Sequence, residues 1–378
     1  MVESLSILLS DPHRKVFQAS FDASGVKRHF ESKTALYTLG PIPRLPLPLR
    51  PIAYLLSAWR LRRLKRQLDI DLTISNLWGA DLISILSGGS DRKIALCHIN
   101  IVDNPSNRLM VRLRFLVAAI YRRFDRVIAV SETLADELKV LYRLSPNLIG
   151  HIDNFVDRPH VTSKLPSDGV QRFVWCGRFN HEKNVKGLLH AWAGFVTNRT
   201  DVQLVLLGDG PLLGELFVLT DSLGLSIGQS IQDTHSQVLF LGRVIDPAAY
   251  MLGARALLLS SQSEGLPMVV LEALSLGLPV LASDCRAGGV RTALLDQGIY
   301  NPHRANIEFT PTGALLPVPT PEIPLSLQLW IEVLAIASQN DLQVSRWQVG
   351  ALERASSFSS QAVRDRWLQS IDFGASIP

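Results

Sequence analysis

Short apolar runs alternate with helix-length amphipathic stretches through both halves of this chain. In the first half LSILL, DLTISNL, KIALCHI and RVIAVS read as buried strands; in the second half RFVWCG, VQLVLLG, VLFLG, ALLLSS and PVLAS do. Runs of this length, separated by helical segments, make parallel sheets covered by helices, so the expected class is α/β. At 378 residues the chain exceeds one ordinary core and suits two. The stretch from Asp157 to Asp168 holds two prolines and few large apolar side chains, and it reads as the linker. The expected domains are 1–160 and 168–355, two doubly wound halves. A Pro-rich stretch, PVPTPEIP, leads to a helix near Leu325–Ala337. Amphipathic segments at Val344–Ser357 and Gln361–Ile371 follow.

Composition narrows the function classes. Apolar residues at 47% and charged residues at 19% exclude a disordered chain. Cys97, Cys176 and Cys285 lie far apart without CxxC spacing, which excludes a disulfide framework and a zinc ribbon and fits a reducing compartment. No run approaches the roughly 18 to 20 apolar residues of a membrane span, and the first residues have no basic leader region. The expectation is a soluble cytoplasmic protein. Residues 1–160 carry 23 Lys+Arg against 15 Asp+Glu, whereas the remainder carries 15 against 19. The densest basic run is Arg60, Arg62, Arg63, Lys65 and Arg66. It admits three readings: a solvated helix face, a nucleic-acid patch, or a contact with the anionic inner face of a membrane. The apolar stretch before it, LPLPLRPIAYLLSAW, puts the membrane reading above the nucleic-acid one.

Open α/β sheets bind ligands at the carboxyl ends of their strands. RFVWCGRFNHEKN sets Gly177 and Arg178 after a strand with Lys183 five residues on, two cations suited to a diphosphate or simply a charged surface loop. LVLLGDGP supplies Gly208 and Gly210, a tight turn whose glycines permit close backbone approach. A lone Gly-rich turn with Pro211 inside it is weak evidence for a dinucleotide. In SSQSEGLPMVVLEALSLG, Glu264 lies in a loop, Gly265 and Leu266 lead into a helix start suited to phosphate, and Glu272 follows about two turns along. Each carboxylate can accept from sugar hydroxyls. Eight residues mostly along a helix rise roughly 12 Å, too far for a hydrolytic carboxyl pair.

In order and spacing, Arg172–Gly289 resembles the family 4 retaining glycosyltransferases, which have the GT-B fold. The matching pieces are Gly177, Arg178, Glu182 and Lys183; the GDGP turn; FLG ending at Gly242; and the EX7E pair Glu264/Glu272. In the first half, His98 matches the family's histidine near the transferring sugar, Ser131 its AVS turn, and Asn154 and Asp157 its NGVD element with Phe155 in place of glycine. By itself a histidine such as His98 is more readily a core or capping residue, and its place at a strand end makes it a functional candidate.

The resemblance implies two Rossmann-like domains facing across a cleft, with 356–378 packing back toward the first domain, and transfer with retention from a nucleotide-diphosphate sugar, UDP- or GDP-linked. It implies a glycan or polyprenyl-linked acceptor in surface polysaccharide or lipopolysaccharide synthesis. Arg178 and Lys183 would neutralise the diphosphate, Glu264 would hold the sugar, Glu272 the ribose, Gly242 and Val244 would border the base, and the Gly265 and Leu266 amides would assist. With two cations on the diphosphate and no Asp-x-Asp motif, neither metal nor cofactor is expected. Two departures stand out. LSILLSDP at residues 5–12 reads as the family's second strand, so the first strand, glycine-rich loop and helix are expected to be missing. A catalytically inactive nucleotide-sugar binder is the alternative. Arg291 and Thr292 stand where the family usually has Pro-Glu or Arg-Glu.

Overall fold

A computed structural model describes residues 17–20, 36–39, 50–98, 111–161, 165–166, 168–197, 199–295 and 306–372. The strand expected at residues 5–12 lies outside these. The chain divides into two compact units, residues 1–154 with 360–378, and residues 155–359.

In the first unit, β1 (Gln18–Ser20) and β2 (Leu36–Thr38) pair in parallel. A second sheet, all parallel, runs β3 (Leu72–Asn76), β4 (Arg92–Cys97), β5 (Arg126–Ala129) and β6 (Ile149–His151) in that spatial order. Its helices are α1 (Arg50–Leu68), α2 (Trp78–Ser87), α3 (Arg114–Tyr121) and α4 (Glu132–Tyr142). The AVS turn is a helix cap: Ser131 Oγ accepts from Leu134 N–H at 3.3 Å and starts α4. The last helix, α12 (Ser360–Asp372), belongs with this unit. Its Arg366 donates to Asp153 Oδ2 at 3.0 Å, and Arg92 donates to the Ile371 carbonyl at 3.1 Å.

The second unit is built on an eight-stranded sheet in the order β13-β14-β12-β11-β7-β8-β10-β9. Its strands are β7 (Gln171–Arg178), β8 (Val202–Asp209), β9 (Ile227–Gly228), β10 (Val238–Gly242), β11 (Ala256–Leu259), β12 (Val280–Ser283), β13 (Glu308–Thr310) and β14 (Gly313–Leu316). All pairings are parallel except the β13–β14 hairpin at the edge. The first six residues of β8, and every residue of β11 and β12, are buried. Helices cover both faces, so these strands read as unbroken apolar runs. The covering helices are α5 (Val185–Phe195), α6 (Leu213–Ser222), α7 (Pro247–Met251), α8 (Met268–Ser275), α9 (Gly289–Leu295), α10 (Pro324–Gln339) and α11 (Asp341–Ala355). Trp192 and Phe195 of α5 meet Phe173 of β7 edge-on, with ring centroids 5.6 and 6.0 Å apart.

The elements that sequence reading passed over are β1, β2, β6, β9 and the β13–β14 hairpin. β1, β2, β6 and β13 are three residues long and β9 two, too short for a periodic signal, and β14 is a four-residue run, GALL, with only two large apolar side chains.

Candidate active site

The second sheet fixes where a ligand can bind. From β7 the chain moves outward through β8 and β10, then returns to β11 and moves the other way through β12 and β14. The winding therefore reverses between β7 and β11. At such a switch point the two connections diverge and leave a crevice at the carboxyl ends.

The charged residues gather at that point. After β7 a short 3-10 turn, His181–Lys183, is capped by Asn180, whose Oδ1 accepts from Lys183 N–H at 3.1 Å. Lys183 Nζ then donates to Glu264 Oε1 at 2.6 Å, across from the β7 loop to the β11 loop. Ser261 Oγ donates to the same oxygen at 2.6 Å. Two more bonds stitch the loops together: Ser260 Oγ to the Lys183 carbonyl at 2.9 Å, and Gln262 N–H to the Glu182 carbonyl at 2.8 Å. The Glu264 side chain is 10% exposed and that of Lys183 25%. Ordering this pair costs entropy during folding, so none is spent when a ligand arrives. Ser260 escaped sequence reading because its bond joins residues 77 apart, and Asn180 and Ser261 because their short local bonds gain meaning only once Lys183 reaches Glu264, 81 residues away.

Arg178 ends β7 with an exposed side chain and enters no ion pair among the described residues. Glu272 sits in the second half of α8, half-buried, and its burial raises the carboxyl pKa. Cys176, two residues before the end of β7, feels the charges of both Glu272 and Lys183. Burial pushes its thiol up to about 11, with the Glu272 charge adding to the shift and Lys183 opposing it. Both members of the EX7E pair thus lie within electrostatic reach of this sheet edge, Glu264 through its bond to Lys183.

The glycines divide into two kinds. Gly208 pairs with Gly177 across β8 and β7, and a Cβ on Gly208 would overlap the Gly177 carbonyl; one on Gly210 would meet the Phe179 backbone. Close backbone approach accounts for both. Gly242, at φ +68 with open space around its Cβ position, ends β10 on the same sheet edge, and Val244 follows half-buried. Gly265 and Leu266 are buried, with Pro267 at the cap of α8. Gly289 opens α9 against them, where a Cβ would overlap the Gly265 carbonyl. Glu264 is braced from the same side, its N–H donating to the Arg286 carbonyl and its carbonyl accepting from Gly289 N–H, each at 3.3 Å.

Arg291 has a structural explanation. Its Nη2 donates to Asp284 at 2.6 Å and Glu308 at 2.7 Å, and the residue is buried. The charge is consumed inside the fold.

In the first unit, His98 follows β4, half-buried, with Nε2 lacking a partner among the described residues. Burial pushes its pKa down to about 4, so at neutral pH the imidazole is uncharged and can both donate and accept. Beside this strand end, Asp81 of α2 is buried and accepts from Ser75 Oγ at 2.6 Å; burial raises its carboxyl to about 7. Sequence reading missed Asp81, whose only signal was an acid in the first turn of a helix. Asn154 is buried just after β6.

Residues 170–309 match the family described as Glycosyl transferases group 1, and residues 15–158 match Glycosyltransferase Family 4. The chain belongs to the family 4, group 1 glycosyltransferases. Its relatives include the N-acetylgalactosamine-N,N'-diacetylbacillosaminyl-diphospho-undecaprenol 4-alpha-N-acetylgalactosaminyltransferase of Campylobacter jejuni. That enzyme is 27% identical over 61% of this chain and 62% of its own length. The alpha-monoglucosyldiacylglycerol synthase of Streptococcus pneumoniae is 31% identical over 45% of this chain and 40% of its own. The chain thus spans less than two thirds of either relative. Among solved structures, HepE of Anabaena in complex with UDP and glucose has a TM-score of 0.72 at 17% identity, over 98% of this chain and 96% of that one. The fold is of the GT-B type. The group 1 match contains Arg178, Lys183, Glu264 and Glu272; the family 4 match contains His98, Asp81 and Asn154. Among the described residues no three His, Cys, Asp or Glu side chains cluster as a metal site, and no helix is long and apolar enough to cross a membrane.

Proposed function

We propose that this glycosyltransferase moves a sugar from a UDP- or GDP-sugar to a glycan or lipid-linked acceptor, retaining the anomeric configuration, in surface polysaccharide or lipopolysaccharide synthesis at the cytoplasmic side of a membrane. The observation that carries this reading is the Lys183–Glu264 pair bridging the switch point between β7 and β11. One relative named for a diphospho-undecaprenol acceptor and another for a diacylglycerol product support a lipid-linked acceptor. A neighbour holding UDP and glucose supports the donor class.

In this mechanism Arg178 and Lys183 receive the diphosphate. Their fixed positive charge stabilises the negative charge that develops on the leaving phosphate as the glycosidic bond breaks. Glu264, held on one oxygen by Lys183 and Ser261, offers its other oxygen to a sugar hydroxyl. Glu272 accepts from the ribose hydroxyls, with the Gly265 and Leu266 amides near the phosphate and Gly242 and Val244 near the base. Gly177, Gly208 and Gly210 keep the strand ends close enough to form the floor. Asn154 is expected to contact the nucleotide sugar, and His98 to hydrogen-bond a sugar or acceptor hydroxyl as a neutral group. The two cations meet the diphosphate's charge without a metal or cofactor.

A panel of UDP-, GDP- and ADP-sugars, read by titration calorimetry and by release of free nucleotide, tests the reading. One donor is expected to bind and turn over, and Glu264→Ala to bind it with turnover lost. Binding without transfer to any glycan or polyprenyl-linked acceptor would support a non-catalytic sugar-nucleotide binder. Absence of binding by every donor would sink the proposal.

A further inference from the structure

The basic run singled out in the sequence lies on α1, and the structure sorts its members. Lys65 turns inward: its Nζ lies 2.8 Å from Asp91 Oδ2 and donates to Ser87 Oγ at 2.9 Å, with Lys93 on the other Asp91 oxygen. Ser57, Ala58 and Lys65 form the buried side, with Tyr54 and Leu61 packed against Ala58 and Ile83 of α2. The opposite side is exposed along its whole length. Ile52 is 57% exposed, Leu55 59%, Leu56 52% and Trp59 60%. At 100° per residue these four share one face. Arg62, Arg63 and Arg66 continue it toward the carboxyl end, all exposed, and α1 contains no acidic residue.

The face is thus apolar along its first two turns and cationic along its last two. A protein partner could match either half. An interface with both an apolar interior and a phosphate layer is the surface of an anionic bilayer. Tryptophan prefers the headgroup boundary, and arginine stems can lie along apolar surface while their charges reach phosphate. We propose that the exposed face of α1 is a membrane-docking surface that seats this chain on anionic lipid. Ile52, Leu55, Leu56 and Trp59 enter the headgroup region, and Arg62, Arg63 and Arg66 pair with lipid phosphates. This deepens the membrane-side reading above, yet it does not depend on sugar transfer.

The full chain is sedimented with phosphatidylcholine vesicles and with vesicles containing 40% phosphatidylglycerol, in low salt and in 0.5 M NaCl. Binding is expected to anionic vesicles only and to weaken with salt. Two variants separate the contributions: Leu55→Ser with Trp59→Ser, and Arg62→Gln with Arg63→Gln and Arg66→Gln. Each is expected to lower partitioning at least tenfold with an unchanged Tm, because every substituted side chain is exposed. The donor calorimetry should be unchanged in both, which separates failure of docking from failure of the enzyme reading. Equal binding to neutral and anionic vesicles, or wild-type partitioning by both variants, would overturn the proposal. So would a dimer in light scattering that the Trp59→Ser variant dissociates, or tight DNA-duplex binding lost only in the arginine variant.

Discussion

The strand ends of the two units carry opposite kinds of chemistry. At the β7–β11 edge of the second unit the groups are charged and already paired, Lys183 with Glu264, with Arg178 exposed beside them. At the β3–β4 edge of the first unit the notable groups are buried toward neutrality. His98 is pushed down to about 4 and Asp81 up to about 7, and the Cys97 thiol is raised to about 12, in each case chiefly by burial. A charged, preorganised edge suits a diphosphate that gains charge in the transition state. A neutral edge suits hydroxyl groups, which need donors and acceptors but no counter-ion. One topology, wound twice, therefore carries two different electrostatic surfaces.

The contrast breaks most visibly at Lys183. Lys183→Ala removes the diphosphate cation and leaves Glu264 with one fewer partner, and a 10²- to 10³-fold fall in kcat is expected. Because both side chains are largely buried, removing Lys183 leaves the Glu264 carboxylate without its counter-charge, and Tm is expected to fall alongside kcat. A large Tm loss with kcat retained would make the pair structural.

Gly289→Ala attacks the same edge through packing. Its Cβ would overlap the Gly265 carbonyl, so the loop carrying Glu264 must move. The expected cost is about 2–3 kcal/mol of stability, read by urea titration, with donor affinity falling alongside it. An unchanged donor Kd would detach that loop from the site.

Asp81→Asn sharpens the other side of the comparison. Asp81 has its folded-state pKa raised, so the fold binds its proton more tightly than the unfolded chain does. Its contribution to stability is therefore intact below the unfolded value near 3.8 and is lost as pH rises toward about 7. The asparagine variant is expected to melt higher than wild type at pH 8 and to lose that advantage near pH 4. A constant difference in Tm across that range would refute the neutral-edge description for Asp81. The smallest effect is expected at His98. With its pKa near 4, the wild-type rate should show no His98 inflection between pH 5.5 and 8, and His98→Asn should slow turnover about tenfold without reshaping the profile. An inflection near 6.5 that disappears in the variant would show a histidine titrating in the working range.

Much of the second unit is legible in the chain. β7, β8, β10, β11 and β12 coincide with apolar runs, because a parallel strand covered on both faces needs apolar side chains at nearly every position. α10, α11 and α12 are legible for the complementary reason that half-exposed helices show a 3.6-residue period. β6 and β13 are not legible, since three residues fix no period, and β14, as short as β11 and β12, escapes because its run GALL holds only two large apolar side chains.

At the candidate site Arg178, Lys183, Glu264 and Glu272 stand out by residue type and spacing, and the family resemblance supplied the roles expected of them. The sequence could not show that Lys183 reaches Glu264, or that Ser261 shares the same oxygen, since those contacts depend on β7 and β11 lying side by side. Nor could it separate Gly208, required by strand packing, from Gly242, at a positive φ in open space.

By itself, then, the sequence determined which segments become strands and helices and which residue types stand at their ends, because periodicity and turn chemistry act over a few neighbours. Tertiary structure alone decided which ends meet and which charges survive. It buried Arg291 between Asp284 and Glu308, turned Lys65 inward to Asp91, and left Arg62, Arg63 and Arg66 facing outward beside Trp59. Desolvation and ion pairing depend on everything packed around a group, and that surrounding is assembled from distant parts of the chain.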